Sequence, residues 1–168
     1  MQLIDDRRRP STITDDQTGD PGFRTSETCD FDGDLPIIQE TNRMICDLLG
    51  LPSAHGEPLQ GQRYARGQEF KRHTDFFEPG GDEWRRRQHT VGQRTWTAMA
   101  YLNEPEAGGA TRFSAIKKSI QPEAGMILAW NNLNVDGSPN AATLHQGMPV
   151  RAGTKYVLTK WFTEKPAG

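Results

Sequence analysis

Within RYARGQEFKRHTDFFEP, residues 63–79, His73 and Asp75 stand one residue apart behind a run of charged and aromatic side chains. On an extended strand, residues i and i+2 project from one face about 7 Å apart, so an imidazole and a carboxylate could close on one small object between them. A divalent metal ion is the natural candidate. A lone His-x-Asp also arises by chance in a chain rich in aspartate, so the pattern needs a further ligand. His145, in TLHQGMPVRAGTKYVLTKW, provides one, and ten residues later Lys155 opens an alternating segment. Two histidines and one carboxylate are the facial set of non-haem Fe(II) oxygenases, in which three protein ligands leave three coordination positions open. Four protein ligands, as in a structural zinc site, would close them.

In the alternating segment, Lys155, Val157, Thr159 and Trp161 share one face, with Tyr156, Leu158 and Lys160 on the other. A lysine among aliphatic neighbours needs an anionic partner once buried, and the motif contains no acidic residue to provide it. The carboxylate of a bound ligand would serve. Taken singly, each residue has a plainer reading: Lys155 as a solvated lysine after Gly153, His145 as a satisfied core histidine, Tyr64 as a core aromatic, Thr97 as an ordinary strand threonine. His55, in a Pro/Gly turn, and His89, in a charged stretch, read as solvent-facing. Trp130 and Trp161 read as walls of a dry site. Cys29 and Cys46 lack Cys-x-x-Cys spacing and nearby histidines, so they read as reduced thiols without a ligand role.

The elements that must position these groups are short. The 168 residues are 34% hydrophobic and 25% charged, with 17 Gly and 11 Pro, punctuation that favours strands joined by turns over a helical bundle. Apolar positions Ile37, Ile38, Met44, Ile45, Leu48 and Leu49 recur near helical spacing over Leu35 to Leu49, and Gly50 and Pro52 stop the pattern. Strands are expected over 59–64, 70–76, 95–102, 111–113, 125–130, 144–148 and 155–162. Residues 5–34 carry little periodicity and are expected to be irregular, at least over 1–22, with at most short strands around Ser11 to Thr14. The charged stretch 78–93 is long for a hairpin connection, and it follows Asp75 directly. The whole reads as one mainly β domain with a flanking helix, a sandwich or jelly roll spanning residues 1–168.

The net charge of −2 gives no global attraction to nucleic acid or anionic membrane, and the Arg7–Arg9 and Arg85–Arg87 triplets read as solvated charge. No apolar run approaches the ~20 residues of a membrane span. MQLIDDRRRP lacks the apolar region of a secretory signal, so the expected location is cytoplasmic.

The spaced motifs RYxxGQxFxxHxD, QRTWTAMAYLNEPEAGGATRF, IQPEAGMILAW and LHQGMPVRAGTKYVLTKW resemble, over residues 22–165, the 2-oxoglutarate and Fe(II)-dependent dioxygenases, specifically the prolyl 4-hydroxylase catalytic domain. The resemblance implies a double-stranded β-helix of the jelly-roll or cupin type. It makes His73, Asp75 and His145 the catalytic iron ligands and pairs Lys155 with the distal carboxylate of 2-oxoglutarate. Tyr64 and Thr97 would assist that anchor, and Trp161 would stand near the co-substrate pocket. Arg24-Thr25-Ser26 matches a mobile segment over the peptide groove, and Trp84, in the charged stretch, would flank the bound peptide. The implied cofactors are Fe(II), 2-oxoglutarate and O2, with ascorbate as a candidate reductant, and the implied products are a hydroxylated prolyl residue, succinate and CO2.

The chain looks shortened at its N-terminus relative to that family, leaving a sheet edge to be sealed by a partner subunit or by its own first residues. Hydroxylation of a free amino acid or small metabolite, a non-catalytic metal-binding jelly roll, and a nucleic-acid demethylase of the same iron chemistry remain as alternatives. With an unperturbed imidazole pKa near 6.5, metal binding is predicted to weaken below about pH 6.

Overall fold

The alternating segment after Gly153 forms β12 (Lys155–Thr163), a central strand of a six-stranded antiparallel sheet in this computed structural model, which describes residues 1–12, 20–31, 33 and 35–167. The sheet order is β1 (Arg9–Pro10), β2 (Glu27–Phe31), β3 (Leu59–Tyr64), β12, β5 (Arg94–Tyr101), β9 (Ile127–Asn131). A second sheet runs β4 (Phe70–His73), β10 (His145–Gly147), β7 (Thr111–Phe113), β8 (Lys118–Ile120), and a short pair joins β6 (Ala107–Gly108) to β11 (Val150–Ala152). Strands distant in the chain are neighbours in both large sheets, the winding of a double-stranded β-helix.

Alternation along β12 separates two cores. Val157 packs with Tyr64, Met99, Tyr101, Phe113 and Trp130 between the sheets. Phe162, with Tyr156 and Leu158, faces outward onto Ile38, Ile45 and Cys46 of α2 (Pro36–Leu49). Proline in the first turn of α2 has its φ preset, and the helix stops at Gly50, whose φ of 65° only glycine adopts cheaply. The Gly50 and Leu51 amides return to the carbonyls of Asp47 and Cys46. Ile37, Met44 and Leu48 belong to the apolar pattern of the helix but are 57%, 59% and 64% exposed. They lie roughly a quarter turn from Ile38, Ile45 and Leu49, and the sheet covers a single stripe of the helix.

The first residues are more ordered than the sequence implies. α1 (Gln2–Arg7) buries Ile4 against β2 and β3, and β1 pairs with β2 through Arg9 opposite Thr28 and Pro10 opposite Glu27. Glu27–Phe31 is a strand that sequence periodicity missed. The β2 edge is therefore taken by the chain's own β1, a two-residue strand whose proline discourages further pairing. Of the strand expected around Ser11 to Thr14, Ser11 and Thr12 are outside any strand, and Ile13 and Thr14 lie outside the described residues. The stretch 78–93 is not irregular throughout: α3 (Asp82–Arg87) forms there, with Glu83 paired to Arg86 and Arg87 at 2.8 and 2.7 Å. Among the described residues no helix is long and apolar enough to cross a membrane.

α1 can reach the sheet only because β3 carries Gly61. A Cβ at that position would stand 2.6 Å from Ile4 Cγ1 and 2.9 Å from the Phe31 ring. Gly61→Val is therefore expected to cost about 1–3 kcal/mol of stability and to release α1. A lowered denaturation midpoint together with faster tryptic cleavage at Arg7 to Arg9 would register both effects; unchanged cleavage would mean that α1 stays docked.

Candidate metal and co-substrate site

His73 of β4 and His145 of β10 are direct antiparallel partners, and the row continues to Phe113 on β7. Opposed residues on one face have Cβ atoms about 5 Å apart, so strand register alone brings together two imidazoles remote in sequence. Their ring centroids are 4.3 Å apart. Phe70 stacks on His73 at 3.5 Å, while Phe113 and Trp130 bracket His145 at 5.4 and 4.8 Å. Asp75 differs from its expected setting. β4 ends at His73, and Asp75 sits in the bend that follows. Its Oδ1 lies 3.8 Å from His73 Nε2 and its Oδ2 3.9 Å from His145 Nε2. One ligand atom from each of the three residues falls within 4.8 Å of the others.

The backbone sets the histidine tautomers. His73 Nδ1 is 2.8 Å from the Lys71 carbonyl oxygen, and His145 Nδ1 is 2.9 Å from that of Thr143. A carbonyl only accepts, so each Nδ1 carries the proton and donates, leaving the Nε2 lone pair for a metal. Burial, reinforced by His145, pushes the His73 pKa down to about 3 against the opposing pull of Asp75. Burial by itself would raise the Asp75 carboxyl, but His145, His73, Arg94 and the Thr97 hydroxyl more than offset it and hold it below the usual range. A neutral His73 and an ionised Asp75 are the protonation states that metal binding requires. The donor set therefore suits Fe(II). The expectation of weakened binding below pH 6 assumed an unshifted imidazole, and burial moves His73 well below that limit.

Lys155 opens β12 inside the same cavity. It is 2% exposed, and its Nζ lies 5.0 Å from the Tyr64 ring centroid and 5.4 Å from that of Tyr101. Among the described residues no acidic side chain pairs with it. Burial pushes its pKa down to about 7. The lining of the cavity joins Lys155 and the triad to Tyr64, Thr111, Trp130 and Trp161.

The remaining candidate residues are placed in and around this cavity as follows. Thr97 is not among the cavity lining; its hydroxyl donates to Asp75 Oδ2 at 2.8 Å. Thr111, which the sequence reading passed over, lines the cavity and accepts the Tyr101 hydroxyl at 2.7 Å. Its inward direction could have been read from the alternation of Thr111 and Phe113. Arg24 stands behind Phe70 with its guanidinium 4.7 Å from that ring and bonded to Thr28 and Gln60. The segment around it is hydrogen-bonded along β4, Thr25 N to Glu69 O and Lys71 N to Phe23 O, so it forms part of the small sheet's margin. Trp84 lies on α3 and is not among the lining residues. His55 is not solvent-facing, because its Nδ1 contacts the Thr163 carbonyl at 2.9 Å. His89 is exposed, and Cys29 and Cys46 are free and buried.

Facing sheets that bring three potential metal ligands within 4.8 Å of one another, with a buried cation in the same cavity, define a class: a jelly-roll fold with a three-residue metal-ligand set and room for an anionic co-ligand. The family model of the 2OG-Fe(II) oxygenase superfamily matches residues 59–163. The chain is 33% identical over 168 residues to prolyl 4-hydroxylase subunit alpha-2 of Caenorhabditis elegans, across 98% of this chain and 31% of that protein. It is 32% identical to the human prolyl 4-hydroxylase subunit alpha-1, across 97% and 31%. The chain thus spans just under a third of the length of these relatives. A solved viral collagen prolyl hydroxylase from Paramecium Bursaria Chlorella virus-1, in complex with 2OG, superposes with a TM-score of 0.68 at 27% identity, covering 82% of this chain and 79% of that one. A Pseudomonas putida prolyl-4-hydroxylase shares the fold, with a TM-score of 0.68 at 19% identity, over 98% and 81%. The chain belongs to the 2-oxoglutarate and Fe(II)-dependent oxygenase superfamily.

Two outcomes follow from the buried ionisable groups. Without ligand, the folded-state pKa of Lys155 lies below its unfolded value, so between about pH 7 and 10.5 the unfolded chain holds the extra proton and stability rises with pH. Lys155→Met should be more stable than the parent at pH 7, converging with it towards pH 10, yet bind 2-oxoglutarate roughly 30-fold or more weakly. Chemical denaturation and calorimetric titration measure the two effects, and equal stability at pH 7 would show that the ammonium has a partner. At pH 5 without metal, His73 should give the nitrogen NMR signature of a neutral ring protonated at Nδ1, whereas an imidazolium signature would contradict its burial.

Proposed function

We propose that this chain hydroxylates prolyl residues in a peptide or protein, with 2-oxoglutarate and O2 as co-substrates at an Fe(II) ion held by His73, Asp75 and His145. One observation carries the reading: the candidate metal triad and a buried lysine with no acidic partner among the described residues line a single cavity. When bound, Fe(II) with 2-oxoglutarate and O2 supplies the oxidising power to hydroxylate an unactivated C–H bond, releasing succinate and CO2.

The chain's residues contribute placement and charge. His73 and His145, fixed through Nδ1, present Nε2 without rotamer freedom. The Lys155 ammonium meets the distal carboxylate of the oxo acid, and the arriving anion restores the charge that burial disfavours. Tyr64 and Thr111 line the same cavity and would stand near that carboxylate. Phe70, Trp130 and Trp161 exclude water, so the charges inside interact more strongly than they would in solution. The names of the curated relatives and of the viral structure support the prolyl part of the reading. A net charge of −2 supports a polypeptide over a nucleic acid as substrate.

Incubation with Fe(II), 2-oxoglutarate, ascorbate and O2, offering proline-rich peptides and free proline in parallel, tests this. Peptide proline should gain one oxygen atom by mass spectrometry, with succinate formed in equal amount. Oxygen gained by free proline alone would replace the proposal with a small-metabolite hydroxylase. Metal binding without succinate for any substrate would leave a binding module.

A further inference from the structure

Asp75 must do two things at once: bind a metal and leave room beside it. A carboxylate that ligates through both oxygens takes two of six octahedral positions; with two imidazoles this leaves two, too few for a two-point oxo acid and O2 together. The protein engages one of those oxygens before any metal arrives. Thr97 Oγ1 is 2.8 Å from Asp75 Oδ2, and since an ionised carboxylate only accepts, the threonine hydroxyl is the donor. Its oxygen then accepts from Asn132 Nδ2 at 2.9 Å. The direction of the whole chain, amide to hydroxyl to carboxylate, follows from the charge at its end. Asp75 Oδ1 has no hydrogen bond among the described residues.

The relay is also rigid. Thr97 and Asn132 are both 0% exposed. Thr97 sits mid-strand in β5 between Trp161 of β12 and Trp130 of β9, and a β-branched side chain has few χ1 choices there. Asn132 is held on both sides of its backbone, its N–H on the Thr95 carbonyl at 2.7 Å and its carbonyl accepting the Asn140 N–H at 2.8 Å. The Arg94 guanidinium, held by Glu57 through two contacts of 2.6 and 2.7 Å, reaches the Asp75 carbonyl oxygen at 3.4 Å.

We infer that Thr97 and Asn132 are positioning residues that commit Asp75 to ligation through Oδ1 alone, and so set the number of coordination places open to co-substrates. The inference rests on the metal reading of the triad and is independent of which substrate is hydroxylated.

Cobalt(II) serves as the probe, because its visible absorption responds to the geometry and ligand field of its coordination sphere. Thr97→Val removes the donor at nearly constant shape. It should weaken Co(II) binding about 10-fold to 100-fold, alter the Co(II) visible spectrum, and weaken 2-oxoglutarate binding to the Co(II) protein. Thr97→Ser, which keeps the hydroxyl, should restore all three. Asn132→Leu should move them in the same direction by a smaller amount. Parent-like Co(II) affinity and spectrum in Thr97→Val would overturn the inference, whereas failure of the parent protein to bind Co(II) would overturn the metal site itself. Should Thr97→Val fail to fold, the infrared carboxylate stretches of the metal-loaded parent decide, since one-oxygen ligation splits them more widely than two-oxygen ligation and the latter result refutes the inference.

Discussion

The constraint on which the site depends is a single cross-strand register, His73 of β4 opposite His145 of β10. A slip of one residue between the two strands would put the two imidazoles on opposite faces of the small sheet. The register is reinforced locally: each ring donates through Nδ1 to a carbonyl two residues earlier in its own chain, and aromatic rings stack on the outer sides of the pair. The metal-facing nitrogens are thus oriented by backbone and packing without help from an ion. Such preorganisation keeps the cost of ordering side chains out of the metal-binding step.

Two cations of the large sheet, Arg94 of β5 and Lys155 of β12, differ in what surrounds them. Arg94 is clamped by Glu57 and lies over Phe77 and Trp161 at 4.8 and 4.3 Å; burial works against its charge, and Glu57 more than compensates. Lys155 has two tyrosine rings and, among the described residues, no carboxylate beside it, and burial pushes its pKa down. The first arrangement is complete within the chain. The second has no acidic side chain beside it among the described residues, which is the observation the proposed ligand-binding role rests on.

The N-terminal region illustrates how little composition says about order. Residues 1–12 have the charge and turn chemistry of an irregular segment, yet Ile4 fits above Gly61 and the Tyr156 hydroxyl bonds the Asp5 carboxylate at 2.9 Å. Both contacts join residues far apart in the chain, where periodicity has nothing to register. The same holds for α2, whose extent was readable from its apolar spacing and glycine stop. Which of its two apolar stripes would be buried depended on where the sheet lay.

Much of the catalytic proposal was legible in the sequence because it rests on local pattern. Period-two alternation placed Lys155, Thr159 and Trp161 on one face, and His-x-Asp with a distant histidine named a triad that the fold does bring together. The partner of each Asp75 oxygen, the settings of Thr97, Thr111, Arg24 and His55, and the path of the chain through the bend at Asp75 were decided only in three dimensions. The physical reason is range: strand alternation acts over neighbouring residues, whereas a buried carboxylate is oriented by whichever donors other strands bring beside it, and those strands become neighbours only once the sheets have formed.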